Sequence, residues 1–217
     1  MQRPSKASGR RRYDAPRRAA AAARTRERVL RAAKATFEKR GWAGATIPAI
    51  ARAARVSHQT VEATFGTKAA LLEAVVDYSI RGDASSMPLR RREVVADIDA
   101  APTAAAMLDL HAHLVRAVSE RSASIAWVVE HAATGDRRVA RLWRRMTDNR
   151  RVGVRWAATT LLAKADAPRH LEHDDVEDVF WVALDWNTYR TLTRDRNLLP
   201  DEFEVWLRRY YRRMLDA

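Results

Sequence analysis

The sequence predicts an all-helical protein of two units, a small N-terminal three-helix unit and a larger helical one, with about nine helices in all. Three observations predict this. Glycine and proline number only seven each in 217 residues while hydrophobic residues make up 47%, which favours helices over strands and turns. Apolar residues recur three and four apart along most of the chain instead of alternating. Charge divides the chain: residues 1–82 hold 18 Lys and Arg against 6 Asp and Glu, the remainder 22 against 21, so nearly all of the net +13 lies in the first part. The boundaries expected are residues 1–23, 24–82 and 83–217.

Residues 1–23 are a low-complexity basic leader with Arg10, Arg11, Arg12, Arg17 and Arg18 against one acid, Asp14. With so little apolar bulk it reads as a disordered arm, although alanines 19–23 suit an extension of the first helix. A basic arm can follow a phosphate backbone or enter a minor groove; a solubilising tail is the plainer alternative. The first firm helix covers residues 25–40, buries Val29, Ala33 and Phe37, and stops at Gly41. Trp42 is expected to close a small core against Phe37 and Ile50.

Residues 45–68 carry the most specific pattern. Thr46 is a capping residue, and Pro48 falls where a first turn tolerates a missing N–H. Ile47, Ile50, Ala51 and Ala54 recur at helical spacing; Ser57 can cap a second helix, whose apolar face holds Val61 and Phe65. Gly66 ends that helix, and Thr67 caps another that begins at Lys68. Two short helices on a tight turn, the second with small polar side chains outward, describe a helix-turn-helix that reads a major groove. Gln59 has the geometry to bond both edges of an adenine, and His58 or Thr60 to reach bases or phosphates.

Residues 25–80 resemble the N-terminal domain of the TetR family of transcriptional regulators. The resemblance is carried, in order, by Arg26-Glu27-Arg28-Val29-Leu30, Phe37, Arg40-Gly41-Trp42, Ala45-Thr46, Ile50-Ala51, Ala54, Val56-Ser57, Thr60, Phe65, Lys68 and Leu71-Leu72. The DNA-binding candidates are Arg24, Thr46, Arg55, Ser57, His58, Gln59, Thr60, Glu62, Thr64 and Lys68, and the resemblance implies phosphate contact at Thr46, Thr60 and Lys68. It also implies a homodimer formed by the last two helices, and repression at a double-stranded DNA operator relieved by a small molecule. Three positions depart from the family pattern: Arg55 stands where a turn glycine is common, Glu62 where a tyrosine is, and Thr64 where an aromatic is.

A fourth helix is expected from Lys68 to about Ile80 with Leu71, Leu72, Val75 and Val76 buried, then a polar linker over residues 82–102 with a short helix between Pro88 and Ile98. From Thr103 the chain reads as long helices. Met107, Leu110, Leu114 and Val118 form one stripe; Ile125, Trp127, Val128 and Val129 form a second that ends at Gly135. Asp136 caps a further long helix that Gly153 can bend and that Pro168 closes. Asp174 and Asp175 suit the start of the next, and Pro200 opens the last, with Phe203, Trp206, Tyr210 and Met214 on one stripe. Apolar residues on more than one face of these two helices suggest burial against another chain; the candidates are Phe180, Leu184, Thr188, Leu192, Phe203, Trp206 and Tyr210.

Catalytic patterns are lacking. Without cysteine there is neither disulfide nor thiol chemistry. His111 and His113, two apart, face different sides of a helix. His170, Glu172, His173, Asp174 and Asp175 read as capping and solvated charge. With no glycine-rich phosphate loop or nucleophile elbow, neither an enzyme, a metal nor a cofactor is expected. No run of about 18 apolar residues suggests a membrane span, no apolar core follows the basic N-terminus as in a secretory signal, and a cytoplasmic protein is expected. A sensing pocket in the second unit is expected from His111, Trp127, His131, Trp143, Met146, Trp156 and Trp181, suited to a largely apolar effector. A DNA-binding dimer without an effector is the alternative, followed by a small helical enzyme or carrier.

Overall fold

The structure, a computed structural model, describes the backbone of residues 9–215 and the side chains of residues 16–215. Among the described residues there are ten α-helices and no strand. They are α1 (Gly9–Gly44), α2 (Ile47–Ala54), α3 (His58–Phe65), α4 (Lys68–Arg81), α5 (Glu93–Ala100), α6 (Ala104–Ala133), α7 (Arg137–Leu162), α8 (His173–Ala183), α9 (Trp186–Arg190) and α10 (Pro200–Leu215). A 3-10 turn at Leu89–Arg91 precedes α5, and a π-helical turn at Thr191–Asp195 prolongs α9.

Helices α1 to α4 form the head. Val29, Leu30, Ala33 and Phe37 of α1 pack on Ile50, Ala51 and Ala54 of α2, Val61 of α3 and Leu71, Leu72 and Val75 of α4. Gly41 stops α1 with φ +64°, a left-handed value that suits only glycine without strain. Trp42 stacks on Phe37 at 6.1 Å between ring centres. Residues 9–23 stand in α1 as helix, contrary to the expected disorder. Alanines 19–23, the best helix formers, carry the backbone of the first firm helix back towards Gly9. Of the basic arm, exposed Arg17 and Arg18 are described; Arg10, Arg11 and Arg12 lie in helical backbone, and residues 1–8 lie outside the described residues.

The body is organised around α6, which packs against α1, α4, α5, α7, α9 and α10. The two stripes read from the sequence belong to this one 30-residue helix. Its buried line runs through Met107, Leu108, His111, Ala112, Val115, Ser119, Ser122, Ala126 and Val129. Leu110 and Trp127 fall beside that line and are 40% and 36% exposed. Asp136 caps α7 by accepting from the N–H of Arg138 at 2.8 Å and of Val139 at 3.3 Å. Helix α7 ends at Leu162, before Pro168, and runs unbroken through Gly153; a Cβ there would stand 3.5 Å from Leu184 Cδ2, so the glycine brings the end of α8 close. Asp174 and Asp175 lie in the first turn of α8 instead of capping it.

The last helices correct part of the interface expectation. Phe180 and Phe203 are fully buried and Leu192 nearly so, all in the chain's own core, and Leu184 turns towards α7. Phe180, Phe203 and Leu192 therefore offer no side chain to a second chain, while Leu184 stays partly exposed. The core stripe of α10 is Phe203, Leu207 and Tyr211, spaced by four; Trp206 and Tyr210 lie on its flank, partly exposed and stacked at 5.3 Å. Thr188 is partly buried and donates to Val182 O at 2.9 Å.

Candidate nucleic-acid interface and cavity

The turn between α2 and α3 is held by backbone geometry. Thr46 caps α2 by accepting from Ala49 N–H at 3.3 Å. At the other end Arg55 N–H donates to Arg52 O at 3.1 Å and Val56 N–H to Ala51 O at 3.0 Å, the paired bonds of a Schellman motif. That motif needs a left-handed residue, and Arg55 supplies it at φ 54° and ψ 49°. The Arg28 guanidinium reaches across from α1 and donates to Ala54 O at 2.9 Å, satisfying a carbonyl at the end of α2.

Ser57 then caps α3 by accepting from Thr60 N–H at 3.1 Å. Val61 anchors the inner face of α3, and Phe65 packs partly buried with the Arg26 guanidinium 4.6 Å over its ring. The outer face presents Ser57, His58, Gln59, Glu62 and Thr64, all exposed; exposed Arg24 and Arg55 flank the motif in sequence. The Thr60 hydroxyl lies 2.8 Å from that of Ser57, and Thr64 donates to Thr60 O at 2.7 Å. A polar face at the N-terminus of a short helix, with unpaired backbone N–H groups and their positive dipole end, suits base edges and phosphate.

Lys68 is placed differently from what its expected role requires. Its ammonium donates to Trp42 O at 2.7 Å and Ala45 O at 2.9 Å, 4.1 Å above the Trp42 ring. It closes the end of α1 from the start of α4. Desolvation lowers its pKa, opposed by the Asp136 carboxylate.

The body encloses a cavity of about 580 Å³ between α4, the Leu89–Arg91 turn, α5, α6, α7 and the α8–α9 junction. Of the residues expected to form a pocket, His111, Met146 and Trp156 line it. The others do not. Trp127 packs against His131 with the rings tilted and 4.1 Å apart, beneath Arg190, Trp143 leans on Trp186 at 6.0 Å, and Trp181 lies 3.9 Å under the Arg150 guanidinium. Sequence reasoning missed the polar wall: Asp77 and Arg81 from α4, Arg90, and Arg145, Asn149 and Arg150 from α7. A signal existed, since Met146, Asn149, Arg150 and Gly153 repeat at intervals of three and four along one face of α7.

His111 lines the cavity from α6. It is buried against Phe180, with Nδ1 2.9 Å from the Tyr211 hydroxyl. Burial lowers its pKa to about 3, so it is neutral near pH 7. Among the described residues no cluster of three or more His, Asp or Glu could hold a metal, and no helix is long and apolar enough to cross a membrane.

Head and cavity share two elements. The first half of α4 buries Leu71, Leu72 and Val75 in the head core, and its second half lines the cavity with Val76, Asp77, Ile80 and Arg81. Helix α7 lines the cavity between Arg145 and Trp156, and its capping residue Asp136 accepts from Trp42 Nε1 of the head at 3.2 Å.

Residues 29–75 match the family described as bacterial regulatory proteins, tetR family. No curated protein matches. Among solved structures, one from Rhodococcus sp. assigned to the TetR-family transcriptional regulators is 16% identical, with a TM-score of 0.64 over 88% of this chain and 98% of that one. A transcriptional regulator from Rhodococcus sp. Rha1 is 16% identical, with a TM-score of 0.60 over 88% and 96%. One from Mesorhizobium loti MAFF303099, assigned to the TetR family, is 17% identical, with a TM-score of 0.61 over 90% and 96%.

Proposed function

We propose that this chain, which carries the DNA-binding helix-turn-helix domain of tetR-family transcriptional regulators on a body of the same fold, is a homodimeric repressor. It binds a near-palindromic operator and is released by a small molecule held in the body's cavity. The observation that carries this reading is helix α4. One rigid rod serves both as a wall of the head core and as a wall of the cavity, so a ligand that favours one orientation of α4 also favours one placement of α3. Coupling of this kind needs differential affinity for the two placements; tight binding alone shifts nothing.

In this reading His58 and Gln59 face base edges, the N-terminus of α3 faces phosphate, and α1 brings Arg17, Arg18 and Arg24 alongside the backbone. Dimerisation uses the apolar residues that α8 and α10 leave outward, Val182 at 44% and Val205 at 53% exposure, with Trp206 and Tyr210 beside them. Two reading helices would then lie about one DNA turn or more apart, on the order of 34–36 Å or larger. Action on operator DNA places the protein in the cytoplasm.

Selection of bound duplexes from random sequence tests the reading. An inverted repeat should emerge, and Gln59→Ala should relax preference at one base pair per half-site while leaving the others unchanged. A protein that runs as a single subunit and ignores duplexes at low salt would sink it.

A further inference from the structure

We infer that the cavity takes an amphipathic organic acid, a carboxylate joined to an apolar body, and not a neutral or cationic compound. The inference rests on the reading of this cavity as the effector site, and adds the charge and shape of what enters it.

The cavity's lining is of two chemistries. Leu114, Val118, Met146 and Trp156 make an apolar wall, which suits a hydrocarbon chain or ring. The same lining holds four guanidinium groups, Arg81, Arg90, Arg145 and Arg150, and one carboxylate, Asp77. Asp77 is already engaged, 3.5 Å from Arg81 and 3.9 Å from Arg145. Arg145 also pairs with Glu73, and Arg150 with Asp185 at 3.2 Å. Further out, Asp83 acts on Arg81 and Glu130 on Arg150, so the surplus of cations belongs to the lining itself, four against one.

The second observation concerns bonds left unmade. Arg81 Nε, Arg145 Nη2 and Arg150 Nε are buried without a hydrogen-bond partner. All three belong to residues that line this cavity. Arg150 is the most enclosed, its side chain 9% exposed and its guanidinium pressed on the Trp181 ring. Desolvation weighs on both Arg145 and Arg150. A buried cationic donor without an acceptor is unfavourable, and a carboxylate relieves it by taking charge-assisted bonds once the guanidinium turns that donor, shut off from solvent here, towards the cavity. A neutral ligand leaves these donors as they are, and an ammonium adds a fifth cation. The volume, about 580 Å³, falls within the range usual for small-molecule sites, roughly 300–1,000 Å³.

Calorimetric titration of the full-length protein with matched probes tests this, using n-decanoate, 1-decanol and n-decylamine below their aggregation concentrations, and 2-naphthoate against 2-naphthol. At least one acid should bind about ten- to a hundredfold more tightly than its alcohol, the range expected for charge-assisted bonds to a buried group. Arg145→Met should reduce that preference. Asp77→Asn should strengthen acid binding several-fold, because it removes the carboxylate that competes for Arg81 and Arg145; a merely damaged fold does not produce a gain. Equal binding of acid and alcohol, tighter binding of the amine, or no binding by any probe overturns the inference. Duplex binding is measured separately on the same protein, so failure of the regulator reading shows itself as lost operator binding, whatever the probes do.

Discussion

The cations of the head and those of the body end in different places. In the head, Arg28 and Lys68 point inward and finish on backbone carbonyls, Ala54 O for the first and Trp42 O and Ala45 O for the second. Each satisfies acceptors that a helix end leaves open. In the body, Arg81, Arg145 and Arg150 pair in part with carboxylates and keep one buried donor each without a partner beside a cavity. The head uses positive charge inside to fasten α2 and α4 to α1, and outside, in the proposed reading, to meet a polyanion. The body holds positive charge half-satisfied, which costs stability and is where the proposed ligand would sit.

Replacing Lys68 is the strongest way to break that contrast. Lys68→Met removes two charged hydrogen bonds to carbonyls at the end of α1, at a cost of about 2–4 kcal/mol of stability if no water replaces them. Thermal or urea unfolding reads the loss. If Lys68 is a fastening residue, the salt slope of duplex binding measured well below the melting temperature stays unchanged. A slope smaller by about 0.9 would mean that it neutralises a phosphate after all, and the contrast would fail at its main example.

Histidine 111 sharpens the comparison from the body's side, where burial and not charge decides. Its folded pKa, about 3, is depressed from 6.5 by burial. The unfolded chain therefore takes up a proton that the folded chain refuses, and stability falls as pH drops from about 6.5 towards 3. At pH 5 the loss relative to pH 7 is about 2 kcal/mol from this residue. His111→Gln should abolish that part of the acid sensitivity, so the gap in urea stability between wild type and variant narrows on going from pH 7 to pH 5. A constant gap would place His111 in contact with solvent or with a compensating acid.

The same contrast explains what could be read from the chain. The caps at Thr46, Ser57 and Thr67 each join atoms three residues apart, so spacing alone disclosed them. The bonds of Lys68 join residues 26 and 23 apart, and nothing local distinguishes that lysine from one that faces solvent. Aromatic content pointed to a pocket, yet Trp127 and Trp156 look alike in sequence and end in different places. Trp127 lies at the surface beside His131, while Trp156 lines the cavity and donates from Nε1 to Asp99 at 2.8 Å. Phe180 and Phe203 were expected at a partner's surface because each sits on a helix with a wide apolar coat; only the packing of α8 on α7, of α10 on α6 and of the two on each other shows that the chain's own core takes them. Periodicity tells how many faces are apolar, not which neighbour covers each one.

The smallest expected effect concerns Arg55, where the demands of fastening and of outward charge fall on one residue. Its backbone lies in the left-handed region, which costs a side chain with a Cβ about 1–2 kcal/mol relative to glycine. Arg55→Gly relieves that strain but also loosens the unfolded chain, which offsets part of the gain. Net stability should rise by about 0.5–1 kcal/mol, seen as a higher melting temperature. Arg55 is exposed in the turn before α3, so the same variant removes one cation from the face offered to DNA. If that charge meets a phosphate, the salt slope of operator binding falls by about 0.9 while the protein becomes more stable. Stability and affinity moving in opposite directions would show that the turn retains a strained arginine for its charge; a stabilised variant with an unchanged slope would leave the arginine without that role.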